Sequence, residues 1–155
     1  MKIKFKPLII SILIALAVGG LSGFISMGSM DTYENLQRPA LSPPSWVFPV
    51  VWTILFILMG IASYIVYMSN SDIKEKALKV YAIQLAVNFI WPLIFFNGQK
   101  YFLTFVWLLF LIVLIMETIL LFKEVNKKAA ILLIPYLLWT IFAGYLNISI
   151  YLLNR

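Results

Sequence analysis

Five apolar runs, each about long enough to cross a bilayer, leave this chain few alternatives. They fall at approximately 7–30, 47–68, 80–96, 101–122 and 129–153, with short polar connections between them. A hydrocarbon slab about 30 Å thick needs roughly 20 apolar residues per helix. Inside that slab every backbone N–H and C=O must be satisfied within the protein, which a helix achieves within its own segment. The 155 residues are 63% hydrophobic and 12% charged, whereas soluble domains carry about 25% charged residues. The sequence predicts an all-α integral membrane protein, one domain built as a five-transmembrane-helix bundle.

The charges supply an orientation. Lys2, Lys4 and Lys6 precede the first run. A charged segment before a short apolar run also opens secretory signals, but this run is longer and four more follow it. Taking the termini and connections alternately, one side of the bundle collects nine Lys and Arg and the other collects three, Arg38, Lys100 and Arg155. Cytoplasmic loops hold the excess of positive charge. The N-terminus is therefore expected in the cytoplasm and the C-terminus outside, together with the connection 31–46. The net charge of +6 belongs to this topology and implies no nucleic-acid partner.

The chain has no cysteine and no histidine. Disulfides and thiol chemistry are excluded. The commonest metal ligand, the usual general base near neutral pH and the usual haem ligand are missing as well. No Walker loop, glycine-rich dinucleotide turn or Ser/His/Asp set is present. The expectation is no metal, no resident cofactor and no conventional active site.

What remains is a set of stripes. Leu41–Gly60, LSPPSWVFPVVWTILFILMG, begins with Pro43-Pro44, places Trp46 at the edge of the second run and admits Pro49 near its start. A tryptophan there marks headgroup level, and proline is tolerated in a first helical turn. Trp52, Phe56 and Met59 then share one helical face. With its three prolines and embedded Leu36, the connection 31–46 reads as an ordered cap over that entrance. In the third run Gln84, Asn88, Trp91 and Phe95 share a face, and Pro92 is expected to kink the helix or free a carbonyl. An amide in hydrocarbon needs a partner, either a neighbouring helix or a flat apolar ligand with polar edges. For Gln84 and Asn88 both readings stand. In the fifth run Tyr136, Trp139, Ala143 and Asn147 follow one face around Pro135, and Asn147 reads as a helix-to-helix contact. Glu117 lies near the basic side, where it snorkels to the interface. Leu146, Tyr151 and Arg155 fit the loose cholesterol pattern, which a chain rich in Leu, Tyr and Lys matches by chance. Gly19 with Gly23, and Ala82 with Ala86, are small pairs four apart that suit close helix packing.

Three of these stretches together carry a resemblance. PPSWVFPVVW, QLAVNFIWPLIFF and PYLLWTIFAGYLN resemble the signature segments of the TspO/translocator protein family. That family comprises the tryptophan-rich sensory proteins of bacteria and the peripheral benzodiazepine receptors of mitochondria. The likeness runs in order from about Tyr33 to Asn154. It implies a homodimeric five-helix bundle in a bacterial cytoplasmic membrane, with a pocket beneath the first connection for protoporphyrin IX, sterols or benzodiazepine-site ligands. Matched by motif, the ligand-binding residues would be Tyr33, Pro43, Pro44, Trp52, Asn88, Trp91, Trp139, Ala143 and Leu146. Light-dependent porphyrin breakdown is a further implication, with Trp52 and Trp139 as the photochemical residues and the porphyrin as ligand or substrate. Trp107 departs from the pattern, because some relatives carry an aspartate there. Two other classes compete with this reading: a carrier of sterol-like or other apolar molecules, and a structural membrane partner without a small-molecule ligand.

The small pair on the third run generates a test of the homodimer. Ala82→Leu combined with Ala86→Leu should shift the detergent-solubilised protein toward monomer in light scattering. An unchanged dimer would remove that face as the interface.

Overall fold

A computed structural model describes residues 2–26 and 34–155. Within them the regular structure is helical: α1 (Phe5–Ser26), α2 (Val47–Tyr67), α3 (Lys74–Pro92), α4 (Tyr101–Val125), α5 (Lys127–Leu132) and α6 (Ile134–Asn154). Five stretches are long and apolar enough to cross a membrane, at Phe5–Ser26, Val47–Tyr67, Lys74–Asn97, Tyr101–Val125 and Lys127–Asn154. The second, fourth and fifth begin within two residues of their expected positions. The third starts at Lys74 rather than Val80, because KEKALK is itself a good helix-forming segment and Glu75 sits favourably in the first turn.

Two prolines shape the ends of the spans. At Pro92 the α-helix gives way to a π-helical turn, Leu93–Asn97, closed by Gly98 N–H to the Leu93 carbonyl at 3.0 Å. Leu93 N–H bonds to the Ile90 carbonyl, and the Phe89 carbonyl accepts from Ser22 Oγ of α1 at 2.8 Å. The Phe89 carbonyl, which loses its α-helical donor when Leu93 N–H turns to Ile90, is thus satisfied across helices, as hydrocarbon requires. Pro135 divides the fifth span. The chain breaks at Leu133 and restarts as α6 with the proline in its first turn, where the missing N–H is harmless.

Around the bundle, α1 packs on α2 and α3, α3 on α4, α4 on α6, and α5 on α2. The core runs through Met59, Leu108, Leu111, Ile115, Phe122 and Tyr136, all fully buried. The buried hydroxyls of Thr104, Thr118 and Thr140 return to carbonyls four residues back at 2.7–2.8 Å, so they need no partner in lipid. Asn147 Nδ2 donates to the Tyr101 carbonyl at 2.7 Å, the helix-to-helix role expected of it.

The described part of the first connection is tied down at the end of the bundle where α1 finishes and α2 begins. Gln37 and Asn154 exchange two hydrogen bonds, Gln37 N–H to Asn154 Oδ1 at 3.0 Å and Asn154 Nδ2 to the Gln37 carbonyl at 2.8 Å. Leu36 packs against a satellite cluster of Phe95, Phe96 and Ile150. The ordered cap inferred from its prolines therefore has a physical anchor on α6.

The small residues behave differently from the simple pairing of Gly19 with Gly23. Gly19 lies against the Phe56 ring, with no room for a Cβ, and a Cβ on Gly60 would stand 2.5 Å from the Ile12 Cα. Gly20 and Gly23 have nothing within 4 Å of a Cβ position. The close approach of α1 to α2 therefore uses Gly19 and Gly60, one on each helix, and Gly23 serves space instead of contact.

Gly60→Ala should lower stability by about 1–3 kcal/mol, as overpacking does, because the obstacle is backbone. Gly20→Ala should be neutral or slightly stabilising, since alanine favours helix and meets open space. Thermal unfolding in detergent followed by circular dichroism checks both.

Candidate ligand-binding site

At the centre of the bundle one hydroxyl serves two amides. Asn88 Nδ2 donates to Tyr136 Oη at 2.7 Å, and Tyr136 donates to Gln84 Oε1 at 2.6 Å. Gln84, Asn88 and Tyr136 are all buried. Gln84 and Asn88 meet one residue because they lie one turn apart on α3, facing the first turn of α6. Gln84 is thus held by a neighbouring helix, the plainer of its two readings. Asn88 is held in the same way and also borders open space.

That space is a cavity of about 610 Å³ between the C-terminal half of α1, the entrance of α2 and the end of α3, within the about 300–1,000 Å³ usual for small-molecule sites. Its aromatic wall includes Trp46, Phe48, Trp52, Phe56, Trp91 and Phe96. Trp52 packs on Phe56, Trp91 and Tyr136 at ring-centre distances of 5.7, 6.2 and 6.1 Å. Trp91 continues the cluster to Phe95 and Phe96 at 5.9 and 6.3 Å. The opposite wall, from α1, consists mostly of small residues, Gly19, Gly20, Ser22, Gly23 and Ser26, with Leu16 and Phe24 at its sides. Gly20, Gly23, Phe24, Trp46, Pro49 and Thr53 line the cavity and are also exposed, so it opens along the seam between α1 and α2.

A second concavity, of about 500 Å³, is an open apolar groove between α2 and α6. Val51, Ile54, Leu138 and Trp139 face it. Apart from the Trp139 indole its lining residues are apolar, and it reads as outer surface of the bundle.

The profile of the TspO/MBR family matches residues 11–153. The chain belongs to the TspO/MBR family. The tryptophan-rich protein TspO of Archaeoglobus fulgidus is 36% identical over 95% of this chain and 96% of its own length. The Chlorobaculum tepidum protein of the same name is 43% identical over 79% and 78%. The human translocator protein is 36% identical over 84% and 79%. The TspO/MBR match also takes in most of α1, beyond the three segments that carried the resemblance.

Of the positions nominated through TspO/MBR motifs, Trp52, Asn88 and Trp91 come together around the cavity. Tyr33 lies outside the described residues. Pro43 and Pro44 immediately precede the lining residues Ser45 and Trp46, and the Pro44 carbonyl accepts the Val47 N–H at 3.0 Å. Trp139 faces the outer groove and meets the wall residue Phe48 edge to face at 6.0 Å. Ala143 and Leu146 are buried on α6 and do not line the cavity. Residues that motif reasoning passed over are Phe48, Phe96, Ser22, Ser26 and the pivot Tyr136. Gly19, Ser22, Gly23 and Ser26 recur at i, i+3, i+4 and i+7, so a face of small and polar residues was the signal for the α1 wall.

Tyr136→Phe keeps the ring contacts and deletes the hydroxyl. It should destabilise the bundle by about 1–2 kcal/mol by orphaning Gln84 and Asn88, read by denaturation in detergent. Unchanged stability would show that the two amides find other partners.

Proposed function

We propose that the chain is a membrane receptor, acting as sensor or transporter, that holds protoporphyrin IX or a flat benzodiazepine-type ligand in the cavity between α1, α2 and α3. The observation that carries this reading is the shape and chemistry of the cavity. One wall is aromatic, with Trp52 and Trp91 at 6.2 Å, and the other is made mostly of glycine and serine. A planar macrocycle fits such a slot better than a globular solute does, and stacking on indole rings contributes beyond simple area burial. Relatives named translocator protein and tryptophan-rich sensory protein support transport or sensing as the use made of binding.

Light-dependent porphyrin breakdown is the second reading. An excited porphyrin in the cavity would stand against Trp52, which contacts Trp91 and Tyr136. These rings can donate or quench radicals while dioxygen serves as the oxidant. Trp139, set apart behind Phe48, would act only at second hand. A carrier of apolar molecules would use the same seam between α1 and α2.

The proposed setting is a bacterial cytoplasmic membrane, N-terminus inside, with the cavity in the outer half of the bilayer. A homodimer through the exposed Ala82 and Ala86 of α3 completes it.

A titration of the purified protein with protoporphyrin IX in the dark, followed by Trp quenching, tests the reading. Saturable quenching is expected, and Gly23→Leu should weaken binding about tenfold or more by filling the slot, as each buried methylene displaces ligand contact. Quenching that never saturates would overturn the proposal.

A further inference from the structure

The positive charge of this bundle is gathered at one end, and little of it is neutralised there. Lys2, Lys4 and Lys6 lead into α1, and Lys74, Lys76 and Lys79 stand in the first turns of α3. Three more lysines surround the junction of α4 and α5, which makes nine at this end against four acids, Asp72, Glu75, Glu117 and Glu124. All of the lysines are exposed except Lys74, which is half-buried. Lys74 Nζ donates to the Tyr67 carbonyl at 3.2 Å and lies over the Tyr67 ring at 5.7 Å. Among the described residues, no other ammonium group at this end bonds an acid, a carbonyl or a ring.

Packing brings two of these sets of lysines side by side. α1 packs on α3, and Ser22 near the end of α1 bonds to Phe89 near the end of α3. At its other end α1 meets the last turn of α2, where Lys4 N–H donates to Tyr64 Oη at 2.8 Å, and a short connection leads from there to the start of α3. The two helices therefore run in the same direction. Counting back equally from Ser22 and Phe89 sets Lys6 level with Ile73, next to Lys74. Lys4 and Lys6 thus share a level with the first residues of α3, and Lys76 and Lys79, within about a turn or two of it, snorkel outward. Like charges gathered in this way repel one another. The first span has little burial to resist that repulsion: 11% of its apolar stretch is buried, against 33–44% for the other four. An anion between the two helices would turn the repulsion into a bridge. Helix ends just outside the hydrocarbon lie at headgroup level, so the anion within reach is a lipid phosphate.

We propose that the basic end of the bundle is a binding surface for anionic phospholipid, whose phosphates bridge Lys4 and Lys6 of α1 to Lys76 and Lys79 of α3 and hold the first span in place. The bilayer around the protein supplies the occupant. Every glycerophospholipid brings a phosphate, but in a zwitterionic headgroup an attached ammonium offsets it, so an excess of lysine selects the lipids of net negative charge. Lysine suits the task, being a compact charge on a flexible stem that can follow a mobile headgroup. Because α1 supplies one wall of the cavity, lipid at the foot of α1 governs how firmly that wall is held. No lysine lines the cavity, so the surface is separate from it and its test involves no porphyrin.

The test places the full-length protein in phosphatidylcholine liposomes carrying a trace of spin-labelled phosphatidylglycerol or spin-labelled phosphatidylcholine. The immobilised component of the electron spin resonance spectrum reads the lipid held by the protein. Labelled phosphatidylglycerol should associate about threefold or more strongly, and the preference should shrink as added salt shortens the screening length. Lys4→Gln, Lys6→Gln, Lys76→Gln and Lys79→Gln together should bring the ratio close to one. Lys100→Gln with Arg155→Gln, at the opposite end, should leave it unchanged. Hydrogen exchange in the first turns of α1 should slow when phosphatidylglycerol is added to phosphatidylcholine nanodiscs, and should not respond to inorganic phosphate. A ratio near one for the unmodified chain, or a preference indifferent to salt, would overturn the anionic-lipid surface without recourse to any variant. A preference abolished by Lys123→Gln, Lys127→Gln and Lys128→Gln but kept in the fourfold variant would overturn its placement between α1 and α3. Exchange in α1 that ignores phosphatidylglycerol, or follows inorganic phosphate equally, would overturn the hold on the first span.

Discussion

Hydrocarbon offers no hydrogen bonds, so the amides of Gln84 and Asn88 must find theirs inside the bundle, and both find them on the hydroxyl of Tyr136. That one oxygen couples the middle of α3 to the first turn of α6. It also sets where Asn88 sits, and Asn88 is the residue through which the polar centre of the bundle reaches the cavity. The same rule governs the distorted end of α3, where the Phe89 carbonyl takes its bond from Ser22 of α1. The wall of the cavity is thus a by-product of satisfying backbone near Pro92. Once α1 is held there by Ser22, Gly19 against Phe56 and Gly60 against Ile12, the faces of Gly20 and Gly23 are left looking into open space.

That arrangement separates two jobs that small residues do in membrane helices. Close approach of backbones needs a residue without a side chain on the contact line, as Gly60 provides on α2. A slot for a flat molecule needs the same absence on the facing wall, as Gly20 and Gly23 provide on α1. The aromatic residues opposite are in contact with one another from Phe56 through Trp52 and Trp91 to Phe95. A wall of tilted aromatic rings facing one of small residues, with no charged side chain in the lining among the described residues, suits the planar ligand proposed above.

Much of this was legible in the chain. Length and hydropathy give the five spans, because a bilayer permits so few solutions. The stripes of Trp52 with Phe56 and of Asn88 with Trp91 are readable because a helix repeats every 3.6 residues. Less legible were relations between helices. Tyr136 stands in the same stripe as Trp139, yet Tyr136 turns inward to α3 and Trp139 faces the outer groove. Spacing within one helix does not say which edge of a stripe meets a neighbour. The Gly19 and Gly23 pair was readable as small, but whether it packed or left room depended on where Phe56 came to rest. The break at Leu133 was hinted at by Pro135, whose position in a first helical turn became evident only once the preceding turn had ended.

In the proposed complex the ligand stands between α1 and the Trp52–Trp91 wall. The five tryptophans make this directly observable as indole N–H resonances of the ¹⁵N-labelled protein, assigned by single Trp→Phe replacements. On adding protoporphyrin IX, the resonances of Trp52 and Trp91, which both line the cavity, should shift by ring current. The Trp107 resonance, already bonded to the Val87 carbonyl, should stay in place. A spectrum in which Trp139 responds while Trp52 and Trp91 stay still would put the ligand in the outer groove and contradict the account.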